Sequence, residues 1–154
     1  MNKKGFTLVE LLAVIVLVAL MAGLAIPNIM SSINNSHKNT FLYDAKRMAS
    51  KAEYLISSSK SDRNLAYSSG KVYTFADLNE KAEFDKDADN GAYANSTFVY
   101  VSASGDELKY CVCVIGSRRK ITGSSGTCSS SSTTAGVDCV LSGNLGSINI
   151  VKDN

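Results

Sequence analysis

Four groups of residues have the types and the spacing to do chemistry. Glu10 is the one charge in the apolar run from Phe6 to Ile26, FTLVELLAVIVLVALMAGLAI. A carboxylate in such surroundings is costly unless it snorkels to the headgroups, here near Lys3 and Lys4, or meets a cationic partner inside the membrane. Cys111, Cys113, Cys128 and Cys139 have the chemistry of disulfides or of a zinc site. Asp85, Asp87 and Asp89, followed by Asn90 and Gly91, place carboxylates at alternate positions as the first half of a calcium loop does. Arg118, Arg119 and Lys120 form a basic triplet of the kind that meets phosphate.

The spacing of each group narrows its chemistry. Cys111 and Cys113 stand two apart on an expected strand and share a face, so each seeks a partner elsewhere, in Cys128 or Cys139. Two disulfides are the expected state of an exported domain, each stabilising it by about 2 to 4 kcal/mol. A zinc site is the alternative, although a C-x-C with two distant single cysteines lacks the usual knuckle spacing; free buried thiols come third. In the acidic loop the glycine falls one place late and Ser96 stands where a bidentate Glu would close the site, so a solvated loop is expected and no metal. The basic triplet lacks a recognisable aromatic platform, Tyr100 and Tyr110 being the nearest candidates, and reads as a solvated turn; DNA is a weakly supported partner. His37 is the sole histidine and cannot build a multi-histidine metal site, so a solvated or capping role is expected. No nucleophile–base pair, phosphate-cradling glycine motif or paired acid and base occurs. The reading is therefore of a protein that is not an enzyme, with no catalytic residues and no cofactor.

These residues are positioned by two kinds of chain. The 154 residues carry 16 basic and 14 acidic side chains, a net charge of +2 that gives no broad field for nucleic acid. At about 1.5 Å per residue the apolar run spans roughly 30 Å as a helix, the thickness of a bilayer core. The lysines before it set the short end in the cytoplasm and the rest outside, a single pass through the bacterial cytoplasmic membrane. The run is longer than the core of a secretory signal, and a helical pattern follows directly behind it. Ile29, Ile33, Phe41, Ala45, Met48, Ala52, Leu55 and Ile56 recur every three to four positions, with Lys38, Lys46, Lys51 and Lys60 largely between them, which predicts an amphipathic helix with one face to be covered. Gly23 and Pro27 predict a kink where the two halves meet. Ser57–Ser59 and Ser61–Asp62 predict its end near residue 60.

Beyond it, strands are expected at 72–75, 97–101, 108–115, 120–122, 137–141 and 147–151, with a short helix at 77–84 and a hairpin turn at Ser104-Gly105-Asp106. Residues 123–136, GSSGTCSSSSTTAG, read as an exposed Ser-rich linker, with a glycosylated surface patch as the functional option. The fold class is α+β, a long N-terminal helix packed on a small antiparallel sheet.

Lys3-Lys4-Gly5-Phe6-Thr7-Leu8-Val9-Glu10-Leu11-Leu12, followed by the apolar run and Pro27, resembles the leader and N-terminal helix of type IV pilins and their pseudopilin relatives. The resemblance is close over about the first 27 residues and loose over the long-helix-plus-head organisation. It implies a cleaved leader at 1–5, a transmembrane and filament-core half-helix at 6–27, an amphipathic half at 28–60 and a head at 61–154. It implies cleavage between Gly5 and Phe6 by a prepilin peptidase and N-methylation of the Phe6 amine. In this family the carboxylate at the Glu10 position pairs with the N-terminal ammonium of a neighbouring subunit, and the stretch before the proline melts locally in some filaments. Loss of Lys3 and Lys4 leaves 14 basic against 14 acidic side chains, so copies pack without net repulsion. The expected product is an extracellular filament of many copies, serving adhesion, motility, biofilm or DNA uptake. Its partners are other pilins, the membrane assembly machinery and, before assembly, lipid. A minor pilin or tip binding module, and a pseudopilin of a type II secretion or competence system, share this N-terminus.

Overall fold

A computed structural model of the chain describes residues 7–122, 139–146 and 149–152. The leader, Gly5, Phe6, Cys128 and the Ser-rich stretch at 123–136 lie outside the described residues, as do parts of the last two expected strands. The chain divides into two compact units, Met1–Ser36 and His37–Asn154.

In the first unit the backbone is helical from Leu8 onward and belongs to α1, Leu8–Ser58. Pro27 sits inside it. Lacking an N–H, Pro27 leaves the Gly23 carbonyl without its ordinary helical donor. The helix is long and apolar enough to cross a membrane.

The second unit is built on the remainder of α1. Phe41, Ala45, Met48, Ala49, Ala52 and Ile56 are buried, at helical spacing along one side. The three alanines bring the helix backbone close to what it covers, and Phe41, Met48 and Ile56 fill the gaps between. Ile29 and Ile33, which periodicity assigned to the same covered stripe, lie in the other unit and stay 54% and 48% exposed. Periodicity shows that a face is apolar but not what covers it.

α1 ends at Ser58, close to the end near residue 60 that the serine cluster predicts, and a second helix follows at once. Ser59 is extended and its side chain accepts the Asp62 N–H, so it caps a second helix, α2, Lys60–Ser68. After Gly70 come β1, Lys71–Thr74, and α3, Phe75–Leu78. The helix expected over 77–84 instead begins at Phe75, because Thr74 and Asp77 form a capping box there, and it ends at Leu78. β2, Phe98–Ser104, and β3, Glu107–Cys113, form the hairpin anticipated from their alternation. Its two-residue turn places Gly105 at φ +67°, a conformation that glycine adopts without strain. β4, Arg119–Ile121, β5, Val140–Leu141, and β6, Ile150–Lys152, complete the described strands.

All strand pairs are antiparallel, but they make two sheets rather than one: β1-β2-β3-β5, and β4-β6. Period-two alternation sorts the hairpin side chains. Val99, Val101 and Val112 join Phe41, Met48 and Ile56 in the main core. Phe98, Tyr100, Cys111, Cys113 and Cys139 cluster on the opposite face with Val72 and Leu141 against them. The fold is α+β, a long N-terminal helix with a small antiparallel sheet, consistent with a pilin-like architecture.

Cys113 and Cys139 form a disulfide across 26 positions. Cys111 is disulfide-bonded as well, and Cys128 lies outside the described residues. Cys139→Ser is expected to destabilise the domain by about 2 to 4 kcal/mol, since the bridge restricts the unfolded chain over a long loop. Urea unfolding with and without reductant checks this: without reductant the variant should be less stable than the wild type by that amount, and reductant should largely close the gap between them.

Candidate functional site

At the N-terminal end of α1 the Thr7-x-x-Glu10 spacing creates a reciprocal cap. Glu10 Oε2 accepts from the Thr7 N–H at 2.9 Å and the Thr7 hydroxyl at 2.8 Å. The Glu10 N–H donates back to Thr7 Oγ1 at 3.3 Å. This is a capping box, and it satisfies backbone donors that lipid cannot. Its signal is local to the sequence: a threonine followed three residues later by a glutamate ahead of an apolar run. The box uses one carboxylate oxygen twice. Phe6, the expected intermolecular partner, lies outside the described residues. From Leu8 to Ile33 the large apolar side chains that the structure describes are exposed, so this unit presents an uncovered apolar helix.

In the second unit the expected solvated groups turn out to be interior. Asp89 is 8% exposed at its side chain, and Arg119, at 4%, donates to it from Nε at 2.7 Å and Nη2 at 3.3 Å. His37 Nδ1 lies 2.8 Å from the same carboxylate, so the lone histidine is neither a helix cap nor simply solvated. Burial pushes the Asp89 carboxyl up, but hydrogen bonds and charge from His37 and Arg119 outweigh it and hold the group below the ordinary carboxylate range.

Asp87 is also buried. Its Oδ1 accepts from the N–H groups of Asp89 at 3.0 Å and Gly91 at 2.8 Å, and its Oδ2 accepts from the Ser117 N–H. Burial raises its pKa less than these hydrogen bonds lower it. Gly91 and Gly116 permit the approach: a Cβ on Gly91 would strike the Ser117 side chain, and one on Gly116 would meet Asp87 Oδ2 and the Phe41 ring. Of the alternating aspartates Asp85 is exposed, as a solvated loop would have it, but Asp87 and Asp89 are spent on internal contacts that staple residues 87–91 to residues 116–119, and Arg119 is drawn out of the basic triplet into the interior.

Two further polar contacts leave no mark in the sequence. The Tyr93 hydroxyl donates to Asp44 at 2.8 Å, while its ring packs 5.8 Å from both Phe41 and Phe75. Arg47 stacks over Phe84 at 4.9 Å. Local composition gives no signal for either, because the partners are distant in sequence. Among the described residues no group of three or more His, Cys, Asp and Glu side chains could hold a metal ion.

No curated protein and no solved structure matches the chain. A family model does match: residues 1–26 fit the prokaryotic N-terminal methylation motif. The motif implies processing by a prepilin peptidase and assembly with pilin-type machinery, and the uncovered apolar helix behind it fits a membrane-anchored precursor. The chain therefore bears the N-terminal signature of a type IV pilin or pseudopilin precursor.

Proposed function

We propose that the protein is the structural subunit of a type IV pilus, a building block rather than a catalyst. The observation that carries this reading is the methylation motif leading straight into a helix whose described large apolar side chains are uncovered from Leu8 to Ile33. In the precursor that surface is solvated by lipid; in the filament it packs on copies of itself, so extraction from the membrane exchanges one apolar environment for another. Cleavage after Gly5 creates the Phe6 amine, which is cationic at neutral pH and able to meet Glu10 of a neighbouring copy. The second unit forms the outer surface.

Intact mass of mechanically sheared surface material and of the remaining membranes tests the reading. A species beginning at methylated Phe6 and dominating the sheared fraction is expected. Trimmed protein confined to the cell envelope would point to a pseudopilin, and a full-length chain found only in membranes would overturn the pilus reading altogether. Replacing Gly5 with a bulkier residue should leave the leader attached and abolish filaments; correctly trimmed protein in that variant would refute the cleavage site.

A further inference from the structure

Two demands of the Asp87 contact meet at residues 90 and 91. Asn90 stands at φ +66°, in the left-handed region that asparagine tolerates better than most side chains. Gly91 follows it, where a Cβ would strike the Ser117 side chain. The fold thus sets an exposed asparagine directly before a glycine. In such a pair the second residue's backbone nitrogen can attack the first residue's side-chain carbonyl carbon, and glycine, with no Cβ, leaves that nitrogen unhindered.

The reaction needs no partner but water. The Gly91 nitrogen gives up its proton and bonds to Asn90 Cγ, the bond from Cγ to the side-chain nitrogen breaks, and ammonia leaves carrying that proton. Water then opens the cyclic imide at either carbonyl, giving aspartate or isoaspartate. In the closed loop the attacking nitrogen is pinned. The Gly91 N–H donates to Asp87 Oδ1 at 2.8 Å, the Gly91 carbonyl accepts from the Asp87 N–H at 2.8 Å, and the Asp87 carbonyl accepts from the Asn90 N–H at 3.0 Å. Removing the Gly91 proton would set a nitrogen anion against a carboxylate, and like charges at that distance disfavour it. Asp87 is also a poor base, because the hydrogen bonds it accepts hold its carboxyl below the ordinary carboxylate range.

We propose that Asn90 is a latent self-modification site, deamidating through a cyclic imide with Gly91 when the Asp87 contact opens and preserved while that contact is closed. The change runs one way. Aspartate at this position adds a negative charge beside Asp87 and Asp89, which works against closing. Isoaspartate also inserts a methylene into the backbone of a loop whose two ends are hydrogen-bonded to each other. Modified copies therefore favour the open loop, and residue 90 records past openings in a long-lived chain.

The test follows deamidation at residues 90–91 by mass spectrometry of peptides from the full chain, kept in detergent in warm, mildly alkaline buffer. Folded wild type should convert roughly tenfold or more slowly than the same chain with its second unit unfolded in urea. Asp87→Ala should convert several-fold faster than wild type in native buffer, and Asp87→Ser, which keeps a weaker and uncharged acceptor, at a rate between the two. Ile56→Ala weakens the same unit through its core rather than through the loop, and so separates local from global opening. Faster conversion in either Asp87 variant than in Ile56→Ala, at the same folded fraction, assigns the protection to the Asp87 contact. Equal rates in that comparison, or a folded wild type that converts as fast as the unfolded chain, would overturn the proposal.

Discussion

Asp89→Ala is expected to destabilise the second unit by about 3 to 5 kcal/mol, the cost of stranding a buried charge whose partner has been removed. Arg119 has 4% side-chain exposure, and its Nη1 is already buried without a hydrogen-bond partner among the described residues. Taking away Asp89 leaves Nε and Nη2 unpaired as well, and frees His37 from the same carboxylate. Domains of this size are stable by only about 5 to 15 kcal/mol, so the loss is a large share of the total. Asp89→Asn keeps the shape but not the charge and should also be strongly destabilising. A double replacement of Asp89 and Arg119 by apolar residues of similar volume should recover much of the loss, because it removes the buried charges together.

The same contacts set an acid limit. The Asp87 and Asp89 carboxyls are held below their ordinary values, so their contribution is complete above the unfolded-state pKa near 4 and is lost as pH falls through the folded values. The gap between wild type and Asp89→Ala, measured by urea unfolding of the full chain in detergent, should be widest near neutrality and narrow below about pH 4. A gap under about 1 kcal/mol at pH 7 would show that the pair is not a buried structural contact.

Glu10→Ala is expected to insert normally in the membrane yet enter filaments poorly, its yield in sheared material falling roughly tenfold or more, as for removal of one member of a desolvated charge pair. The substitution removes an acidic group from an apolar run, so insertion has no reason to suffer. Because Glu10 also closes the capping box with Thr7, two comparisons separate its roles. Thr7→Ala opens the box and leaves the carboxylate; Glu10→Gln keeps an acceptor oxygen and removes the charge. If the charge registers each incoming subunit, Glu10→Gln should fail nearly as badly as Glu10→Ala, while Thr7→Ala should retain more assembly. Normal filament yield from Glu10→Ala would remove the assembly role of this side chain.

The sequence by itself determined what depends on neighbours a few residues apart. It contained the bilayer-length run, the methylation motif, the Thr7–Glu10 spacing, and the alternation and turn of the β2–β3 hairpin. It also put Cys111 and Cys113 on one side of a strand. These follow from helix and strand periods and from turn stereochemistry, which operate over one or two turns of chain. Only the tertiary structure decided which partner each group meets. Asp89 finds Arg119 across 30 positions and His37 across 52, and those contacts turn an apparently solvated acidic loop and basic triplet into an interior staple. It also split the strands into two sheets, set Cys111, Cys113 and Cys139 on the face opposite α1, and covered Phe41 and Met48 while leaving Ile29 and Ile33 bare. The physical reason is common to all of these. Burial and ion pairing depend on surfaces brought together by chain topology, and a period of 3.6 or 2 records that a face exists without recording what it will touch.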